Sequence, residues 1–423
     1  MILAPTLSLS AGSGAAIARP TFSRDFAGEK TLNNGTGPAI TFTRASNATF
    51  FDASGTLQTA SNDTPRFDHD PATAGNPSRG LLIEEARTNS IRNSQAGGAV
   101  AGSAGTGPSN WNVSGNANGL TRTISLGSAN GLSYIDVRFV GTATATVQNF
   151  FDPEGLTAIT ASSGQVWTHS AYVALIAGTV PDLQIGVREG LADGTFVASG
   201  NLNAAPSLTA SLQRFSHTRT LTDATTARVT PTIRVSISNG VAYDFTLRIA
   251  APQLEQGAFP TSYIPTTTAA ATRAADSAVV TPISSFYNQA EGTLFAHFNA
   301  SGSLNLQTVL SAVAVGDVSN DSVFIFQEGG GVNGWVTGRL TGASGFTTRS
   351  MAALAYATGA GASMAVDGSL FTNGALAQSA QLNKLGIGLL ATGSGNRVYN
   401  GHIRRIAYWP RRLSNTLLQQ LTT

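Results

Sequence analysis

Polar and apolar residues alternate with a period of two along most of this chain. Between residues 111 and 260 the alternation is clear at 133–140, 166–173, 183–188, 213–218, 232–237 and 244–249, with Gly, Asn and Asp turns between the stretches. Such spacing predicts half-buried strands folded into an antiparallel sandwich. A second series runs from 276 to the end, at 292–298, 308–315, 321–327, 334–339, 351–357, 361–366, 384–390 and 401–408. No apolar stripe of period 3.6 and normal helix length competes with this reading. The short segment 413–421 is the exception: Ser414 or Asn415 can cap a helix whose buried face holds Leu417, Leu418 and Leu421.

The first 90 residues read differently. Short apolar pieces alternate with turn signals, and the Asp52–Gly55 step predicts a hairpin between 48–51 and the strand that follows. Edge strands in this region are expected to pair with sister chains. Residues 91–110 are rich in Gly, Ala and Ser and suit a linker. Prolines 252, 260 and 265 discourage helix, while Phe259, Tyr263 and Ile264 supply large apolar anchors, so residues 261–275 are read as an ordered strap. The expected fold is all-β: two antiparallel jelly-roll-like sandwiches in tandem, at 111–260 and 276–423, preceded by an extended β-rich N-terminal attachment region at 1–90.

Composition narrows the function classes. The 423 residues suffice for more than one core. Charged residues make up 11% and glycines number 46, while 42% hydrophobic content is too high for a disordered chain. Net charge is +2, and the one arginine group, Arg404, Arg405, Arg411 and Arg412, reads as solvated or interface residues rather than a nucleic-acid footprint. With no cysteine, disulfides, thiolate chemistry and cysteine metal sites are excluded. Pro5 interrupts the apolar start and no basic segment precedes it, so a secretion signal is not expected. No apolar run approaches the ~20 residues of a membrane span.

Several ordered motifs together resemble structural proteins of tailed bacteriophages and prophages. They are Phe42-Thr43-Arg44-Ala45-Ser46-Asn47-Ala48-Thr49, Pro65-Arg66-Phe67-Asp68 and Gly80-Leu81-Leu82-Ile83-Glu84-Glu85-Ala86-Arg87-Thr88-Asn89. Gln253-Leu254-Glu255-Gln256-Gly257-Ala258-Phe259-Pro260-Thr261-Ser262-Tyr263-Ile264-Pro265-Thr266 follows. Glu291-Gly292-Thr293-Leu294 and Gly401-His402-Ile403-Arg404-Arg405-Ile406-Ala407-Tyr408-Trp409-Pro410-Arg411-Arg412-Leu413-Ser414 close the series. The resemblance implies a fibre, spike or tail accessory protein, with a middle module similar to carbohydrate-binding jelly rolls and a C-terminal module similar to concanavalin A-like and laminin-G-like sandwiches. It further implies assembly in the host cytoplasm and display on the virion, with other virion proteins, host-surface glycan and sister chains in a homotrimer as partners. Nucleic-acid binding and membrane insertion are not expected. The alternatives are a non-binding capsid or tail decoration protein and a polysaccharide depolymerase.

Candidate chemistry points toward binding. Glu84 and Glu85 are adjacent and face opposite sides of a strand, so they do not make a glycosidase pair. No HExxH or GxSxG context is present. No catalytic residue, cofactor or metal is assigned. Asp317, Asn320 and Asp321 offer oxygens that a hard cation would accept, but turn formation explains them as well or better. Sugar recognition needs an aromatic plate beside fixed polar groups. Trp111, Trp167, Trp335, Tyr399 and Trp409 are the candidates, and alternation assigns Trp167 and Trp409 to packing. Trp335 follows the glycine-rich stretch 329–334, read as a turn that exposes it. It is the preferred glycan-binding residue, with Asp317, Asn320 and Arg339 beside it.

Overall fold

A computed structural model describes residues 18–197, 203–204, 207–300, 307–314, 322–328, 331–336, 338–342, 350–373, 381–390 and 398–423. Apart from two short helices, the regular elements among these residues are strands. They form two tandem antiparallel sandwiches.

The middle sandwich faces a six-stranded sheet against a five-stranded one. The first runs in the order Gln213–Thr220, Val166–Gly178, Ala242–Gln256, Leu132–Thr142, Leu120–Ala129, Gly102–Ser103. The second runs Asn203–Ala204, Leu183–Gly190, Arg228–Ile237, Val147–Asp152, Asn112–Val113. Neighbours in space are mostly not neighbours in sequence, as expected when a chain crosses between two sheets. Alternate residues Ile135, Val137, Phe139, Ile233, Val235, Phe245 and Leu247 fill the space between them. Residues 91–110 lie along this sandwich rather than hanging as a linker. Ile91 is buried, and the Asn93 amide donates to Gly97 and Ser109 carbonyls.

The C-terminal sandwich takes in the N-terminal region. In its eight-stranded sheet, Gly401–Trp409 lies between Glu291–Ala300 and Ser78–Ile83, and Arg66–His69 pairs with the latter. Phe22–Asp25 also pairs with Gly401–Trp409. Thr41–Thr43 forms the edge of the facing seven-stranded sheet beside Ser277–Val280. Phe22, Phe26, Phe42, Leu81 and Ile83 belong to the same core as Leu294, Phe298, Leu310, Ile325, Leu354 and Ile403. The N-terminal strands proposed for pairing across chains thus have partners within the chain. The hydrophobic pattern did not reveal this, because each strand is too short to close a core alone.

The terminal motifs explain one another through direct contact. Gly292 lies where a Cβ would sit 2.5 Å from the Tyr408 hydroxyl and 2.6 Å from that of Tyr356, so any side chain there must displace the tyrosines. Those hydroxyls cap the backbone at Asn288: Tyr356 donates to its carbonyl and the Asn288 N–H donates to Tyr408. Glu291 accepts from the Arg412 N–H, and the Thr293 hydroxyl both donates to the Arg411 carbonyl and accepts from the Leu413 N–H. The helix Asn415–Leu421 follows, capped by Ser414, and buries Leu418 and Leu421.

Candidate functional site

The motifs of the N-terminal region and the strap converge on one buried charge network. Arg44, Arg66 and Arg273 meet Glu84, Asp276 and Glu255, and all six are buried. Arg66 reaches Glu84 at 2.8 Å and Asp276 at 2.6 Å, Arg44 reaches Asp276 at 3.1 Å, and Arg273 reaches Glu84 at 3.1 Å. Glu255 joins through Thr261, whose hydroxyl donates to it and accepts from Arg273 at 3.0 Å. Burial alone raises a carboxyl pKa, but Arg273, Arg66 and two hydrogen bonds from Ser262 outweigh it and hold the Glu84 carboxyl well below its ordinary value. This network joins the strap to both sandwiches.

The strap lies here because its own strand bends. Opposite Val166–Gly178, the strand Ala242–Gln256 carries a bulge at Ala251 and Pro252, where a residue without an N–H is tolerated. Beyond the bulge, Gln253 donates to the Thr261 and Ser262 carbonyls and accepts from the Ile264 N–H. Tyr263 and Ile264 are buried, each side chain contributing about 1.5–3 kcal/mol relative to exposure.

Next to the network lies a cavity of about 390 Å³. It opens between the hairpin Ala48–Phe51/Leu57–Ala60, the edge of the middle sandwich, the strap and the end of the C-terminal sheet. The hairpin is fixed by Asp52, whose carboxylate accepts from Ser54 and Thr56 and is drawn down to about 2 by these bonds. It reaches the middle sandwich through the Leu57 N–H, which donates to the Asn130 carbonyl at 2.8 Å. Phe51 and Tyr172 give the cavity aromatic walls, their ring centroids 6.3 Å apart.

Its polar lining is mostly occupied. Asp68 accepts from the Phe51 N–H at 2.7 Å and faces His402 Nε2 at 2.8 Å. Asp70 pairs with Arg79 at 2.9 Å. Burial tends to raise the Asp70 carboxyl, yet Arg79, Ala72 and Thr73 bring it below its ordinary value. Arg214 is the exception. It lies opposite Tyr172 in the edge strand, its guanidinium carbon 5.8 Å from that ring centre, and donates from Nη2 to the Ser170 hydroxyl at 2.9 Å. Its Nε is buried without a partner, and it forms no ion pair among the described residues.

A second cavity, of about 470 Å³, lies on the other side of the hairpin, against Asn47, Asn62, Pro265 and Thr272. Tyr263 is its one aromatic wall. Among the described residues, no three His, Asp or Glu gather as cation ligands, and no helix is long and apolar enough to cross a membrane.

The residues singled out from sequence lie elsewhere. Trp335 is in the strand Gly331–Val336, so the glycines at 331 and 334 form strand rather than a turn. Its ring is half-buried, stacked on Phe324 at 5.7 Å, with a buried N–H that has no partner. Arg339 is its cross-strand neighbour and pairs with Glu328. Asp317 and Asn320 lie outside the described residues. Trp167, Tyr399 and Trp409 are buried, and Trp111 donates its N–H to the Asn93 carbonyl. Phe51, Tyr172, Arg79 and Arg214 escaped sequence reading. Their alternating strands were legible, but the register that sets Arg214 beside Tyr172 leaves no local signal.

No protein-family model and no curated protein matches the chain. Among solved structures, it is similar to the CBM40 module of a Ruminococcus gnavus IT-sialidase, at 15% identity over 34% of this chain and 91% of the module, with a TM-score of 0.29. It is also similar to the tandem CBM22 domains of Paenibacillus barcinonensis Xyn10C, at 8% identity over 77% of this chain and 99% of that one, with a TM-score of 0.26. A Trypanosoma rangeli sialidase matches at 10% identity over 90% of this chain and 76% of that one, with a TM-score of 0.27. The likeness is one of fold, and at these scores it carries no argument about ligand or activity.

Proposed function

We propose that this protein is a non-catalytic glycan-binding component of a bacteriophage particle, and that the 390 Å³ cavity beside the strap holds the sugar. The observation that carries this reading is the pairing of aromatic walls with fixed polar groups in one concave site. Phe51 and Tyr172 can cover the weakly polar face of a sugar ring, while charged side chains already held by partners meet its hydroxyls. The virion setting and a homotrimer rest on the sequence resemblance. Repetition of weak sites on a particle would raise effective concentration at a host surface.

The cavity is poorly suited to glycoside hydrolysis. That reaction uses a carboxyl kept protonated as the general acid. Glu84 and Asp70 are both held below their ordinary pKa by arginines and hydrogen bonds, so each is ionised at neutral pH. Both oxygens of Asp68 are engaged.

The test is binding of the purified protein to capsular polysaccharides and lipopolysaccharides, with polymer length followed in the same samples. Saturable binding without shortening is expected, weakened about tenfold or more by Phe51→Ala. No binding at high protein and glycan concentrations would replace this reading with a decoration role. Shortening of the polymer would make the protein a depolymerase.

A further inference from the structure

Resting on the glycan reading, we infer that the cavity selects an anionic saccharide, and that the Arg214 guanidinium is the group that recognises the acidic substituent. The argument is an account of unmet hydrogen bonds. Three carboxylates line the cavity, and each is engaged. Asp68 is held by the Phe51 N–H and His402, Asp70 by Arg79, Ala72 and Thr73, and Glu84 by Ser262, Arg66 and Arg273. The lining's carboxylates are therefore committed.

The donors are not. Arg79 has Asp70 as its counter-ion. Arg214 has no carboxylate within ion-pair distance among the described residues, and its one hydrogen bond among them runs from Nη2 to the neutral Ser170 hydroxyl, so its charge is unanswered. A guanidinium presents five donors in a planar fork and cannot lose its charge, so the group that completes it is a planar or tetrahedral oxyanion. The Tyr172 ring beside it gives the sugar carrying that oxyanion an apolar surface. A neutral sugar would leave the fork unanswered, which is the basis for discrimination. The shared chemistry is an oxyanion on a sugar, supplied by a uronate-type carboxylate or by a sulfate ester.

The experiment compares alginate, hyaluronan and polygalacturonate with the carboxyl-reduced form of each, and dextran sulfate with dextran, using the full chain. Binding is expected for at least one acidic polymer, with about 10- to 100-fold loss on removing its charge and a similar loss in Arg214→Gln. Arg214→Lys is expected to retain part of the affinity, because it keeps the charge and loses the fork. Preference for the carboxylated or the sulfated arm identifies the substituent. Equal binding of acidic and neutral forms, or an unchanged affinity in folded Arg214→Gln, overturns the inference while leaving glycan binding intact. Failure of every polymer, acidic and neutral, overturns both. Should Arg214→Gln not fold, the wild-type protein still decides: binding to the acidic polymer must weaken between about 20 and 500 mM salt, and a flat response refutes the role of charge.

Discussion

Replacing Asp276 by alanine tests the idea that the buried charge network holds the strap and both sandwiches together. The Asp276 carboxylate accepts from Arg44 at 3.1 Å, Arg66 at 2.6 Å and the Glu84 N–H at 2.9 Å. The side chains of Asp276, Arg44 and Arg66 are all fully buried. Removing the carboxylate leaves Arg44 with no counter-ion, leaves Arg66 with Glu84 alone, and abandons the Glu84 N–H, all where water does not reach. Breaking a buried ion pair from one side costs about 3–5 kcal/mol, most of it the penalty of the abandoned charge. For a domain of this size, that corresponds to a fall of about 6–20 °C in the unfolding midpoint. Asp276→Asn keeps the volume and one acceptor and is expected to cost less. Differential scanning calorimetry is the suitable assay, since two sandwiches need not unfold in one step. The exposed pair Arg138–Asp244 provides the control, and Asp244→Ala is expected to leave the midpoint within error. A midpoint for Asp276→Ala within about 2 °C of wild type would refute the reasoning.

Two further outcomes follow from packing and burial. His169 is fully buried opposite His217, and its Nδ1 lies 3.0 Å from the Gly186 carbonyl. Desolvation lowers its pKa from 6.5 to about 4. The folded value is below the unfolded one, so the unfolded chain takes up a proton first and stability falls as pH drops from 6.5 toward 4, by about 3 kcal/mol over the full interval. Urea titrations across this interval should show a slope that His169→Gln flattens, and an equal slope in the variant would contradict the assignment. Gly292→Ala places a methyl group against the Tyr356 and Tyr408 hydroxyls and is expected to cost about 1–3 kcal/mol, measured by thermal unfolding. A change below about 0.5 kcal/mol would mean that the tyrosines move aside freely.

The all-β architecture was legible because alternation is a local property. A strand places successive side chains on opposite faces, so a half-buried sheet writes its core into the sequence at every second position. Ile135, Val137 and Phe139 show this in the middle sandwich. The hairpin around Asp52, the strap with buried Phe259, Tyr263 and Ile264, and the Ser414-capped helix were legible for the same reason, since turn chemistry, proline and capping act over a few residues.

Tertiary structure alone decided which pieces share a core and where a ligand could sit. Arg44 and Asp276 meet across 232 positions, and His402 and Asp68 across 334. The aromatic residues show the same divide. Tryptophan composition drew attention to Trp335, which the fold stacks on Phe324, while Arg214 looked like one more polar residue in an alternating strand. Sequence fixes which face of a strand is apolar, because that depends on neighbours two positions away. Which charges are neutralised and which remain open depends on strand register and sheet closure, and those are set by the packing of the whole chain.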